Sequence, residues 1–524
     1  MRILEPCSKF VVRVPRWGEN LLLTVVAVLA CGAVPGCSST STYKSNATPS
    51  RSSDPLFRSG VVQSGLDLAR PQCGISSTAA IVPSASAWAN FTPPAVGGTY
   101  TDPGGYCPVK RITNIGSRGQ MVPFYSLMQA ISARDTKILL FNGDAAHWSV
   151  YDFGGNLVIS GASFDSAANG NRGLPLWDRF DDKVIWLTAR HSIKKCVITM
   201  GTRGSMSCTV THTFTEYSHS VVFPGDTDMN ENGWVPMVGQ NTAGGSVDIF
   251  MFQPSTNTKA GTYTPPSCTG EGDSMQPACI HRLISTPNNG MTIEGLGSGD
   301  ELWLPPFSGS PTAWNPSADH HSVGYAIDGT TLVGAFEDFD NQNTGGPCDF
   351  RPGIVSFSNT SSPGNCPITP NGETNPPPEF GWHVSYMDHA TRPWVVWTMM
   401  GNGAGPEYFN SESSYAAPVA WNSAGGNWYP YQAEVVMARV DSNVTTIGAP
   451  TTLVYRIALT HARQHADSGY YWQDVYAPVS WDGKYVVFSS NAAFAQSASG
   501  CPADSSGSGF TGDCADTYLI GPLF

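Results

Sequence analysis

The chain of 524 residues carries 28 Lys and Arg against 41 Asp and Glu, a formal net charge of −13, and only 13% of its residues are charged. So acidic a body weighs against nucleic acid and against an anionic membrane surface as partners, because both would repel it. With 55 Gly, 40 Pro, 15 Trp and 19 Tyr, the composition excludes a mainly helical chain and fits many short strands broken by turns.

Residues 1–36 read as an export signal. Arg13 and Arg16 precede the apolar run 21–30, LLLTVVAVLA, and small residues follow. The run is shorter than the ~20 residues a membrane span needs. Arg2, Lys9, Arg13 and Arg16 against Glu5 and Glu19 give the segment +2, which leaves −15 for the rest. Val34-Pro35-Gly36-Cys37 resembles a bacterial lipoprotein box, with Cys37 as the lipid-bearing position. Cys31 is a rival position, and a plain cleaved signal is the other alternative. Residues 37–72, rich in Ser and Thr, read as a tether, and the folded body is expected over 73–524. The chain is thus expected in the bacterial cell envelope, as a periplasmic or outer-membrane lipoprotein that touches membrane only through its N-terminal lipid.

Beyond Cys37 ten cysteines fall into neighbours: Cys73 and Cys107, Cys196 and Cys208, Cys268 and Cys279, Cys348 and Cys366, Cys501 and Cys514. An even count in an exported chain points to disulfides, and adjacent pairing is favoured because each pair brackets a Gly-, Ser- or Pro-rich loop. Closing a loop of ~15 residues contributes roughly 3 kcal/mol in the chain-entropy model. Metal binding is the rival reading, but no CxxC or Cys/His spacing supports it.

From about Cys107 one pattern returns: a polar loop, a strand, a short turn and further strands. Residues 120–142 turn at Arg134-Asp135, 147–159 at Gly154-Gly155-Asn156, and 176–190 at Asp181-Asp182. Residues 319–336 turn at Asp328-Gly329, 381–398 make a longer turn, and 470–491 turn at Trp481-Asp482-Gly483-Lys484. Asp-Gly between two β-rich runs is a strong hairpin signal. The segments 234–252 and 280–304 follow the pattern more weakly. Units of ~40–60 residues that cannot bury their own apolar faces are the mark of a β-propeller. The expected fold is therefore all-β, a single propeller of seven four-stranded blades with disulfide-stapled loops. An array of β-sandwiches is the alternative.

The run from Ser480 to Asn491, SWDGKYVVFSSN, resembles the S-x-D-G-K repeat of TolB-like propellers, and Ser132 to Leu140 is similar without the Gly. The layout also resembles the oligogalacturonate lyases. That resemblance implies seven blades and a divalent metal held by histidines at the axial end. In those enzymes a Gln-x-x-His-x-His run supplies metal ligands just before the repeat. Here Gln473 stands in place, but Tyr476 and Pro478 occupy the histidine positions.

Histidines placed alike in several blades would converge on the axis. His320 and His321 precede one blade strand, His383 another, and His461 and His465 lie before the last hairpin. The expected metal set is His320, His321, His383, His465 and Gln473, holding Mn²⁺ or Zn²⁺. Elimination from a uronate needs a base and a cation beside the carboxylate; His383 and His461 fit the first need, and Arg456 and Arg463 either. Each histidine could instead be a hydrogen-bonded blade-end residue. Asp226, Asp228 and Asn230 place oxygens at alternating positions, and Asp338 and Asp340 form a second acidic cluster; both are candidate calcium loops. They could equally be turns without an ion. The last third is dense in Trp382, Trp394, Trp397, Trp421, Trp428, Tyr429, Tyr431, Tyr470, Tyr471 and Trp472. Aromatic platforms suit sugar rings, and packing between blades is their competing use. No nucleophile elbow or phosphate loop is present, and nothing points to a nucleotide, haem or flavin.

The sequence thus points to an envelope-tethered propeller whose axial face binds a glycan or an envelope protein. A metal-assisted lyase acting on uronate-containing polysaccharides is the alternative.

Overall fold

The computed structural model describes residues 70–77, 81, 91–115, 120–143, 147–169, 174–200, 204–225, 227–266, 268–269, 279–295, 299–315, 321–336, 353–357, 383–387, 393–399, 431, 433–440, 453–462, 475–492 and 515–524. Their strands form seven antiparallel sheets that follow one another along the chain as the blades of a propeller.

The chain enters through β1 (Thr99–Tyr100) and β2 (Val109–Arg111). Blade 1 adds β3 (Lys137–Asn142), β4 (His147–Asp152) and β5 (Leu157–Ile159) to an inner run that bridges β3 through Val122–Phe141 and Ile131–Ile138. A short helix, α1 (Gly161–Ala168), follows, capped by Ser160 and closed by Asn169 in the left-handed conformation. Blade 2 is β6 (Leu176–Trp177), β7 (Val184–Ala189), β8 (Ser192–Thr199) and β9 (Ser205–Thr213). Blade 3 is β10 (Ser220–Val222), β11 (Val235–Gln240), β12 (Val247–Gln253) and β13 (Thr258–Tyr263). Blade 4 is β14 (Ile280–Ser285), β15 (Met291–Gly295), β16 (Gly299–Trp303) and β17 (Thr312–Asn315). Blade 5 shows β18 (His321–Tyr325), β19 (Leu332–Phe336) and β20 (Gly353–Ser356). Blade 6 is β21 (His383–Met387), β22 (Trp394–Met399), β23 (Glu434–Arg439) and β24 (Val454–Leu459). Blade 7 joins an inner run, bridged through Val479–Val486, to β25 (Val486–Ser490) and β26 (Asp516–Ile520). Its outer strands are β2 and then β1, so the first strands of the ring complete its last sheet.

The turn after each inner strand explains the repeat. In blades 1, 3, 4, 5 and 7 the fourth residue of the turn donates its N–H back to the first residue's carbonyl: Asp135 to Ser132, Gly233 to Asn230, Asn289 to Thr286, Gly329 to Ala326 and Gly483 to Ser480, at 2.8–3.1 Å. All five donors have positive φ, between 53° and 78°. Such a position takes Gly at no cost, and Asp or Asn at little. Blade 1 therefore keeps the turn although Asp135 replaces the glycine.

Side chains near the axis satisfy the backbone of a neighbouring blade. Ser322 Oγ accepts Tyr386 N–H at 3.1 Å, Ser385 Oγ accepts Val479 N–H at 3.3 Å, and Ser285 Oγ donates to Asp228 O at 2.9 Å. Gln129 Nε2 donates to Val479 O at 2.8 Å across the join between blades 1 and 7. Farther out, apolar faces pack blade on blade. Trp177 and Trp397 are fully buried there and donate their indole N–H to Ala130 O and Phe336 O in the preceding blade, at 3.0 and 2.8 Å. Trp394 and Tyr431 are buried too, so of the aromatic-rich third these three residues serve packing. Trp382, Trp421, Trp428, Tyr429, Tyr470, Tyr471 and Trp472 lie outside the described residues.

Cys73–Cys107, Cys196–Cys208 and Cys268–Cys279 are disulfides, as neighbour pairing expects. Cys37, Cys348, Cys366, Cys501 and Cys514 lie outside the described residues.

Candidate functional site

Successive strands of a blade alternate in direction. The turns between its first and second and its third and fourth strands therefore share one side of the ring, here the turn face. The remaining connections share the other side, the loop face.

Along the axis a narrow cavity is lined by Ser126, Gln129, Asp228, Ser322, Ser385 and Trp481 among others. It offers about 20 Å³ for the centres of water molecules, room for a single water. At its turn-face end the Arg179 guanidinium lies over the Trp481 ring, 4.8 Å from its centroid. Asp228 accepts Met229 N–H at 2.7 Å. Burial pushes its carboxyl up to about 7; the Met229 N–H, Arg179 and Trp481 draw it back, and the neighbouring Glu231 adds to the rise. Burial also raises Glu231, against the pull of Arg179.

Of the first calcium candidates, Asp226 lies outside the described residues. Asn230 is occupied by its turn: its Oδ1 accepts Asn232 and Trp234 N–H, each at 3.0 Å, and its amide donates to Thr286 O at 2.9 Å. Asp338 and Asp340 lie outside the described residues.

At the loop-face end of blades 4 and 5 sits a cluster of ionisable groups. His321 opens the inner strand of blade 5 and is fully buried. Its Nε2 shares a 2.8 Å hydrogen bond with Thr292 Oγ1, and its Nδ1 lies 3.2 Å from Asp300 Oδ2 and 3.8 Å from Glu294 Oε2. Glu294 and Asp300 face each other across β15 and β16. The other Glu294 oxygen meets His281 Nδ1 at 2.6 Å, and the His281 side chain is one-third exposed. The arrangement can hold and pass protons between imidazole and carboxylate, and His281 presents it to solvent.

The other expected site residues are dispersed. His461 lies two residues beyond the outer strand of blade 6, where its Nε2 is 2.9 Å from Asp102 Oδ1 and its ring stacks on Phe91 at 3.6 Å. Arg456, fully buried on the same outer strand, pairs with Glu434 at 2.5 Å and lies over the Tyr431 ring. Burial raises the Glu434 carboxyl despite that guanidinium. The fold thus keeps His461 and Arg456 in outer blade 6 and His321 in the inner strand of blade 5. His383 opens β21 with its backbone opposite Thr398. Arg463, His320, His465 and Gln473 lie outside the described residues. Among the described residues no group of three or more His, Cys, Asp or Glu is arranged to hold a metal ion.

Sequence reading passed over Glu294, Asp300 and His281. The available signal was a carboxylate inside the apolar strand MTIEG, where only a buried partner makes it tolerable.

Fold and turn together define a seven-bladed β-propeller. No family model matches the chain, and no curated protein does. Several solved structures are similar to it. An oligogalacturonate lyase in complex with manganese is 12% identical, covering 81% of this chain and 96% of its own, with a TM-score of 0.42. The oligogalacturonate lyase of Vibrio parahaemolyticus is 10% identical over the same shares, with a TM-score of 0.42. TolB of Acinetobacter baumannii is 14% identical over 54% of this chain and 58% of its own, with a TM-score of 0.26.

Proposed function

We propose that the chain is an exported, lipid-tethered propeller of the bacterial envelope that binds a glycan on its loop face. The observation that carries this reading is where the strands end. The segments holding Trp421, Trp428, Tyr429, Tyr470, Tyr471 and Trp472 run from the end of β22 to the start of β23 and from the end of β24 to the inner run of blade 7. Those flanking strand ends belong to the loop face, the side on which His281 and Glu294 stand. Indole and phenol faces pack on sugar C–H faces, and carboxylate and imidazole groups hydrogen-bond hydroxyls. Three disulfides fit an oxidising compartment.

The test is calorimetry of the full chain against a panel of neutral and uronate-containing oligosaccharides. Binding to at least one is expected, weakened about tenfold or more by Trp472→Ala, a loss of ~1.4 kcal/mol. Failure to bind any of them sinks the reading. Absorbance of unsaturated products in the same samples, with and without added Mn²⁺, reads the lyase alternative.

A further inference from the structure

We infer that the open edge of β9 takes an extended, acidic segment of a partner protein as a fifth strand of blade 2. The surface is the rim of that blade, and the inference does not depend on glycan binding.

The outermost strand of a blade presents a row of backbone N–H and C=O groups, and proteins blunt such edges by short length, charge or cover. The other described outer strands do so. β1 has two residues, β5 three and β17 four, β13 carries Lys259, and β24 is covered by Ile75, whose N–H and C=O both pair with Arg456 at 3.0 Å. β9 is different. With nine residues it is the longest of the described strands, and its sequence, SMSCTVTHT, holds no Lys, Arg, Asp, Glu or Pro. Ser205, Ser207, Thr209, Val210 and Thr213 are exposed, and among the described residues the strand pairs only with β8. The Cys196 and Cys208 Cα atoms are 4.0 Å apart across the two strands. That close spacing marks a pair whose N–H and C=O groups point away from each other, so Cys208 turns its own outward. The disulfide holds this edge against its neighbour.

Charge decides what the edge takes. Residues 184–215 hold Arg190, Lys194, Lys195 and Arg203 and no Asp or Glu, in a chain of net charge −13. Lys194 and Lys195 stand opposite Val210 and Thr209, on the two faces of the sheet. Lys194 Nζ donates to Ala168 O at 2.9 Å, Lys195 Nζ lies 5.8 Å from the Trp186 ring centroid, and Arg190 is exposed in the β7–β8 turn. Among the described residues none of these three pairs with a carboxylate. The carboxylates around them are engaged elsewhere: Asp165 with His147, Glu216 with Lys259, Asp182 with Lys137, Asp178 with the Trp186 indole and Asp248 with Tyr217. Asp181 is offset by Lys183 in its own turn. A strand added to β9 lies ~4.8 Å beyond it and about 10 Å from β8, within the joint reach of Glu and Lys side chains. A second copy is disfavoured, because pairing β9 with its two-fold mate would bring the lysines of both copies together.

The test titrates a fluorescein-labelled ten-residue peptide of alternating Thr and Glu with the full chain and reads anisotropy. Saturable binding is expected, at least tenfold tighter than that of the Thr–Lys counterpart, and lost when every peptide nitrogen is methylated. Lys194→Gln with Lys195→Gln should weaken it at least threefold without moving the melting curve; Arg190→Gln, at an exposed turn, serves if the pair moves it. Amide hydrogen exchange at residues 205–213 should slow when the peptide binds. No binding, equal binding of the Thr–Lys or the methylated peptide, or slowing confined to other residues overturns the inference. So does slowing at 205–213 that grows with protein concentration without peptide, which would give the edge to a second copy. Slowing there by uronate oligosaccharides and not by the peptide would give it to a glycan, and overturns the inference as well.

Discussion

Arg111 and Asp516 are 405 residues apart in the chain and 2.5 Å apart in the fold, both in buried surroundings. Asp516 also accepts Thr113 Oγ1 at 3.0 Å and Ile115 N–H at 3.1 Å. The pair lies where β2 completes the last sheet, so it ties the beginning of the ring to its end. Burial nonetheless raises the Asp516 carboxyl, with Arg111 pulling it down. Asp516→Ala would strand a buried guanidinium and is expected to cost ~3–5 kcal/mol, whereas replacing both partners by apolar residues of similar size should cost much less. Urea melts of the two variants check this; equal losses would show that the pair closes nothing.

Asp228 makes stability depend on pH near neutrality. Burial pushes its carboxyl up to about 7, against ~3.9 for an unfolded chain. The neutral form is the one the fold favours. Its contribution is therefore complete below pH ~4 and lost as pH rises through 7, by up to ~4 kcal/mol for a shift of about three units. Asp228→Asn should hold its melting temperature between pH 5 and 8 better than the parent. Parallel curves for the two proteins over that range would contradict the assignment.

The turn position predicts unequal costs in two blades. Gly483 sits at φ 71° and Asp135 at φ 53°. Gly483→Ala forces a β-carbon into the left-handed region and should cost ~1–2 kcal/mol, while Asp135→Gly should be near neutral. Both are read from chemical denaturation midpoints, and a harmless Gly483→Ala would remove the explanation given for the repeat.

This repeat is also why so much of the ring could be read beforehand. A blade's first two strands and turn are local, and their signal survives when the glycine is lost, because Asp135 or Asn289 meets the same backbone demand. Ring closure was not legible: β1 and β2 are two and three residues long, and the pairing of β2 with β26 spans nearly the whole chain. Nor could periodicity separate axial from outer histidines. His321 and His461 look alike as residues beside strands, yet one opens an inner strand and the other follows an outer one. Glu294 and Asp300 became visible only when cross-strand register set them against His321.

His321 offers the sharpest separation of a structural from a ligand-binding imidazole. It is fully buried, bonded to Thr292, and set against Asp300 and Glu294, which are themselves buried. His321→Ala would open a polar void beside two carboxylates and should cost ~3 kcal/mol or more. The one-third exposed His281, on the other oxygen of Glu294, should cost under ~1 kcal/mol on the same change, because solvent replaces its hydrogen bond. In a double-mutant cycle His321→Ala and Asp300→Ala should couple by ~1 kcal/mol or more, as contacting groups in one network do. A His321→Ala chain that melted like its parent while glycan binding disappeared would instead make this imidazole part of the binding surface.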